Sequence, residues 1–249
     1  MSQSKPINRR SFFGKMAGAA GAAVALPYII PGTALGKDGA KAPSDRIVMG
    51  VIGAGSQGSG DMRDFLAKPE VRMVAVCDVD KKHQAQAKAT IDETYKNTDA
   101  RTYGDYREFL AKEKLDAVIL ALPDHWHAII AIACANAKLD IYGEKPLART
   151  IWEGQKIIEA VEKNQVKWQT GSWQRSQAHF HRACELVING RIGKVHHVDV
   201  GLPNGGPPTR KPYPVQPVPE ELNWDMWLGP SPKEPYRGVS HWDWRWILA

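Results

Sequence analysis

Residues 46–58 read RIVMGVIGAGSQG. After Arg46 the first six positions are mostly β-branched and apolar, which predicts a buried strand ending at Ile52. Directly behind it stands Gly53-Ala54-Gly55-Ser56-Gln57-Gly58, a G-x-G-x-x-G. The following stretch, GDMRDFLAKP, places Met62, Phe65 and Leu66 at helical spacing, with Pro69 after the end. The glycines therefore lie between a strand and a helix. Gly53 allows a tight turn, Gly55 lets a ligand come close to the backbone, and Gly58 lets the helix pack against the sheet. In this context the motif is a dinucleotide fingerprint, with the pyrophosphate meeting the helix N-terminus.

The residues that follow support this reading. VRMVAVCDVD (71–80) is a second buried strand, and Asp78 lies twenty residues after Gly58. An acid there accepts hydrogen bonds from the adenosine ribose hydroxyls and repels a 2′-phosphate, which favours NAD over NADP. Lys81 and Lys82 stand next to it and keep NADP open. Residues 81–96 and 105–113 have helical patterns, with a short strand or loop at ARTYGD between them. DAVILALP (116–123) is an apolar strand stopped by Pro123, residues 125–137 form an apolar helix, and DIYG (140–143) is another strand. Strands alternating with helices predict an α/β fold, a Rossmann-type parallel sheet with helices on both faces. Ligands of such sheets sit beyond the carboxyl ends of the strands, which is where Gly53–Gly58, Asp78, Pro123 and Glu144-Lys145-Pro146 all fall.

The composition excludes several classes. The formal charge of +6 comes largely from the first 36 residues, which hold Lys5, Arg9, Arg10 and Lys15 and no acid. Setting those four aside leaves 29 basic against 27 acidic residues, so no nucleic-acid-binding surface is indicated. Cys77, Cys134 and Cys184 are far apart and lie in apolar segments, which predicts buried free thiols and no disulfide framework. His179, His181, His196 and His197 form two pairs without a third ligand at metal spacing, so no metal is expected.

The N-terminus reads as an address. NRRSFFGK (8–15) leads into the mildly apolar MAGAAGAAVALPYII, and Ala34 and Gly36 supply small residues for cleavage before Lys37. The paired arginines resemble a twin-arginine export signal, which implies a periplasmic or extracellular protein with no stable membrane span after cleavage. The apolar run is broken by Pro27 and Pro31, which argues against a retained anchor.

Five segments, GVIGAGSQG, VCDVD, PDHWH, GEKPLART and TGSWQRS, occur in this order between residues 46 and 176. Together they resemble the Gfo/Idh/MocA oxidoreductases, a family that includes glucose–fructose oxidoreductase and inositol dehydrogenase. NWDMWLGPSP (223–232) is similar to a segment of a secreted, twin-arginine subgroup. The resemblance implies an NAD(P)-dependent enzyme that moves hydride between nicotinamide and a sugar, polyol or related alcohol. It implies cofactor contacts from the fingerprint residues, including Ala54, Ser56 and Gln57, and from Asp78 and Pro123. It extends them to His127, Glu144, Lys145, Trp173 and Arg175. Lys145 and His127 are the implied catalytic residues. Lys145 would stabilise negative charge on the substrate oxygen, with desolvation bringing it towards proton-shuttle range. His127 would face the nicotinamide, although His125 or His127 can equally begin the helix at 125. Pro146 would fix the turn through a cis bond. Arg175 would either reach the substrate or brace a domain interface.

Three domains are expected: a signal at 1–36, a nucleotide-binding domain at 37–165, and the start of an incomplete α+β domain at 166–249. Within the last, 179–193 reads as a helix and KVHHVDVGLP (194–203) as a strand. Ten of the seventeen prolines and five of the nine tryptophans (Trp224, Trp227, Trp242, Trp244 and Trp246) follow residue 200. This composition predicts an arm that is either a sugar-stacking wall or, the preferred reading, a structural or interfacial packing element such as an arm covering another subunit. In the resembled family a catalytic aspartate and histidine follow a WRW segment. The sequence stops at WRWILA (244–249), so it reads as the N-terminal part of such a protein. The alternatives to plain redox chemistry are glycoside cleavage through transient oxidation by held NAD, and a nucleotide-binding protein without catalysis.

Overall fold

The computed structural model describes residues 41–202 and 214–238. The chain divides into two compact units, Met1–Asp45 and Arg46–Ala249. Of the first, only the 3-10 turn at Pro43–Asp45 and its approach are described, and the expected signal at 1–36 lies outside the described residues. Trp242, Trp244 and Trp246 also lie outside them. No helix among the described residues is long and apolar enough to cross a membrane.

The second unit is built on six parallel strands in the order β3-β2-β1-β4-β5-β6. They are β1 (Ile47–Ile52), β2 (Val71–Cys77), β3 (Arg101–Tyr103), β4 (Ala117–Leu120), β5 (Asp140–Glu144) and β6 (Trp168–Gly171). The crossovers are α1 (Ser56–Leu66), α2 (Lys81–Tyr95), α3 (Tyr106–Lys112), α4 (Asp124–Asn136) and α5 (Ile151–Asn164). The α/β fold expected from the alternating pattern is the one found.

Successive residues of the central strands feed different cores. Val118 and Leu120 join Ala131 and Cys134 of α4, Ile157 of α5 and Phe109 of α3. Met49 and Val51, with Ile119 between the other two, join Met62 of α1 and Ile91 of α2. Both faces of β4 are therefore covered, and all four of its residues are buried, as a parallel sheet requires. The helix starts are set locally. Asp80 caps α2 by accepting from the Lys82 amide at 2.7 Å. Thr150 and Glu153 close a reciprocal capping box that begins α5 directly after the 144–149 loop.

The sheet differs from expectation at its far edge. Trp168–Gly171 pairs in parallel with β5 and belongs to the first sheet, beyond the boundary expected at 165. The indole of Trp168 covers Gly143, where a Cβ would meet the ring, so the edge strand is fixed by packing as well as by its ladder.

Beyond β6 come a 3-10 turn at Trp173–Ser176, α6 (Ala178–Ile188) and α7 (Trp224–Leu228). The strand expected at 194–203 is not formed over 194–202, the described part of that stretch. A strand needs a neighbouring ladder, and none of the described strands borders this exposed segment. The antiparallel second sheet is likewise not formed among the described residues. Cys77 and Cys134 are buried thiols, whereas Cys184 on α6 is exposed, contrary to expectation, because none of the residues of α6 is buried.

Candidate functional site

Strand order reverses between β1 and β4. β1 leads outwards to β2 and β3, and β4 leads the opposite way to β5 and β6. Loops diverging from such a point leave a crevice at the carboxyl edge. A cavity of about 580 Å³ occupies that crevice, with Gly55, Asp78, Pro123, Glu144 and Lys145 in its wall. Asp78 follows β2 and Lys145 follows β5, three strand spacings apart, or about 14 Å across the sheet.

The fingerprint loop is shaped by contacts that tolerate no side chain. Gly53 has φ +86°, and a Cβ there would run into the carbonyl oxygen of Ala121 behind β4. A Cβ on Gly58 would strike the carbonyl oxygen of Gly53. Gly55 is different: the nearest atom its Cβ would meet is His83 Cε1 at 3.9 Å, so its backbone is open to the cavity. Gly55 is the N-cap of α1 and supplies no capping side chain, and the first residues of that helix line the cavity.

Asp78 is bound to this loop. Its Oδ2 accepts from the Ala54 amide at 2.7 Å, its Oδ1 accepts from the Asp80 amide at 2.8 Å, and His83 Nδ1 stands 3.4 Å from Oδ2. The hydrogen bond to Asp78 raises the His83 pKa above its ordinary value. The two carboxylate oxygens retain lone pairs for further donors. Ala54 itself is buried and contributes through its backbone rather than as a cavity-lining residue.

At the other end, Lys145–Pro146 is a cis peptide, as expected. Glu144 is 3% exposed, and its Oε1 is 3.4 Å from Gln57 Nε2. The same Gln57 amide donates to Asp61 Oδ1 at 3.0 Å, so one fingerprint side chain bridges two buried acids. Burial and the neighbouring Glu144 push the Asp61 carboxyl up to about 6. Lys145 is exposed at the cavity wall rather than desolvated as expected, because no element packs over its side chain among the described residues.

Other expected site residues are placed elsewhere. His127 is fully buried and does not line the cavity. Its Nε2 donates to the Leu122 carbonyl at 2.9 Å and desolvation lowers its pKa, so it braces the loop between β4 and α4 as a neutral ring. It is drawn inward because it lies on the same helical face as Ala128, Ala131 and Cys134. His125 Nε2 stands 2.9 Å from the Trp227 carbonyl. Trp173 and Arg175 lie on the exposed turn after β6 and do not line the cavity, since that turn leaves the sheet beyond β5.

Sequence reasoning preferred structural or interfacial packing for the arm over a wall of the site, whereas the strap formed by its described part lines the cavity. Residues 219–236 cross the cavity from Asp78 to Trp126. Leu222 forms an antiparallel bridge with Asp80, the Asn223 amide donates to Val79 O at 2.9 Å, and the Lys81 amide donates to Glu221 O at 3.0 Å. At the far side, Trp126 Nε1 donates to the Met226 and Trp227 carbonyls, both at 3.0 Å. Trp224 and Trp227 stack at 4.7 Å, and Tyr236 meets Trp224 edge-on at 5.2 Å. These rings line the cavity, so within the described residues the arm is a wall of the site. The density of tryptophan was the available signal; its target was not encoded locally.

A crevice at a strand-order reversal, a glycine turn opening a helix, and an acid tied to that turn from the next strand together match a dinucleotide-binding design. Residues 47–172 match Gfo/Idh/MocA, an oxidoreductase family with an NAD-binding Rossmann fold. The chain belongs to the Gfo/Idh/MocA family.

Among relatives, a myo-inositol 2-dehydrogenase of Thermotoga maritima is 29% identical over 162 residues, covering 64% of this chain and 46% of its own length. A glycosyl hydrolase family 109 protein of Shewanella baltica is 31% identical over 177 residues, covering 64% of this chain and 38% of its own. The crystal structure of myo-inositol 2-dehydrogenase from Lactobacillus plantarum aligns with a TM-score of 0.55 at 26% identity, covering 60% of this chain and 43% of that one. The chain thus spans less than half the length of these relatives. The family's cofactor, NAD, fits the residues present. The open backbone at Gly55 suits a phosphate, the Asp78 carboxylate suits ribose hydroxyls, and the cavity reaches Glu144 and Lys145 at the other end. Among the described residues no three His, Cys, Asp or Glu side chains gather as a metal site.

Proposed function

We propose that the whole protein is an NAD-dependent oxidoreductase acting on a secondary hydroxyl of a sugar, polyol or related alcohol. The observation that carries this reading is the meeting of Gly53–Gly58, Asp78 and Glu144-Lys145 around one cavity. Bound NAD supplies the hydride acceptor. The glycine turn and the start of α1 hold its phosphates, and Asp78 holds the adenosine ribose. The hydroxyl proton passes to a general base as hydride leaves the carbon, while the Lys145 ammonium, exposed on the cavity wall, donates a hydrogen bond to the substrate oxygen as negative charge develops there. Glu144, kept in place by Gln57, lines the pocket beside it. The stacked Trp224 and Trp227 supply an apolar face against which a sugar ring or an adenine can lie. The inositol dehydrogenases among the relatives favour a polyol.

Arg9 and Arg10 ahead of an apolar run support export by the twin-arginine route to the periplasm or beyond, with the protein working as a homo-oligomer. That route carries folded proteins, which suits a protein that takes up its nucleotide before export.

The test is to incubate the whole protein, not the 249-residue chain alone, with NAD and a panel of inositols and aldoses and follow nicotinamide reduction. Turnover is expected, and Lys145→Ala should lower kcat by about a hundredfold while NAD binding persists. Unchanged turnover in that variant overturns the role given to Lys145. A second reading, glycoside cleavage through transient oxidation, is favoured by the similarity to the family 109 glycosyl hydrolase. Release of the aryl group from aryl glycosides without net nicotinamide reduction would select it.

A further inference from the structure

The corner of the cavity next to Asp78 contains a charge arrangement that the nucleotide reading does not use. The cations lining this corner are Lys82 and His83, at the start of α2. A ribose 2′-phosphate placed beside Asp78 would need one of them to offset its charge. Each already faces a carboxylate of this protein. His83 is engaged by the Asp78 carboxylate at 3.4 Å. Lys82 is ion-paired with Glu221, which comes from the strap 139 residues further along the chain.

The placement of Glu221 is built rather than incidental. Its own carbonyl accepts from the Lys81 amide at 3.0 Å, the next residue bridges Asp80, and Asn223 donates to Val79. Three consecutive strap residues are thus fixed to the loop that follows Asp78. These contacts hold the Glu221 carboxylate at this corner. Lys145, the other lysine in the cavity wall, belongs to the loop after β5 and is about 14 Å away by strand spacing.

We propose that Glu221 is a specificity-determining residue: by holding Lys82 and adding a negative charge beside Asp78, the strap makes this site reject a 2′-phosphate and select NAD over NADP. The inference rests on the nucleotide reading of the cavity. Asp78 alone discriminates through one carboxylate, whereas Glu221 removes the counter-charge that NADP would otherwise recruit. The discrimination is delivered by a segment outside the nucleotide-binding sheet. It therefore depends on the strap's contacts with Val79, Asp80 and Lys81.

The experiment is a titration of the 249-residue protein with NADH and with NADPH, read by energy transfer from the cavity tryptophans to the nicotinamide. It is run on the wild type, Glu221→Gln, Lys82→Gln and the double variant, with circular dichroism confirming the fold of each. The Kd ratio of NADPH to NADH is expected to fall about tenfold in Glu221→Gln, because a charge-assisted contact to the freed lysine becomes possible. In the double variant most of that gain should vanish, an effect that mere loosening of the strap would not produce. A ratio indifferent to Glu221, with NADH still binding, overturns this inference alone. A gain that survives the loss of Lys82 overturns the role given to that lysine. Failure to bind either nucleotide overturns the nucleotide reading and this inference with it.

Discussion

Asp61 occupies the second turn of α1, 8% exposed, with Oδ1 held by Gln57 and Oδ2 buried without a partner. Its folded pKa of about 6 lies above the ordinary value of 3.8. Between those values the folded state keeps a proton that the unfolded state has lost, so stability falls as pH rises through about 4 to 6 and stays reduced above. Replacing Asp61 by Asn keeps the acceptor for Gln57 and removes the buried charge. Urea unfolding should show Asp61→Asn more stable than wild type by about 2 kcal/mol at neutral pH, with a much smaller gain near pH 4.5. Equal destabilisation at both pH values would contradict this account. Residues of this kind mark the limit of sequence reading. The glycines and Asp78 declare themselves because their chemistry follows from their spacing after a strand. Asp61 looks like any helix acid, and His127 like any ligand, until packing shows which way each side chain turns.

At the scale of elements, the strand–turn–helix units were readable because each carries its own period and its own stop signals, from Ile47–Ile52 through Asp140–Glu144. β6 was recognised as a strand but its place beside β5 was not, since nothing in its own residues names that partner. The alternation at 194–202 was a strand pattern without a ladder to join. The strap is the strongest case of non-local encoding. Proline and tryptophan announce an arm, but His125 and Trp126, a hundred residues earlier, decide where it binds. Trp126→Phe keeps the ring and removes the donor to the Met226 and Trp227 carbonyls. The expected cost is about 1 kcal/mol of strap closure, which should speed hydrogen exchange of the Asn223 amide about fivefold. Unchanged exchange there, with the amide still bound to Val79, would show that the strap is held by other contacts.

For the whole molecule, strand order determines where chemistry can happen. A sheet covered on both faces leaves only its edges for ligands, and the reversal between β1 and β4 opens one of them. The glycine turn, Asp78 and the Glu144-Lys145-Pro146 loop reach that opening from three different strands, which is why segments distant in sequence form one cavity. The central claim is that this cavity binds NAD with its adenosine ribose at Asp78. The most direct measurement is a titration of the protein with NADH, following energy transfer from Trp126, Trp224 and Trp227 in the cavity wall. The account predicts a saturable signal for the wild type and about tenfold weaker binding for Asp78→Ala. Absence of a saturable signal in the wild type, or equal affinity in the variant, would contradict it.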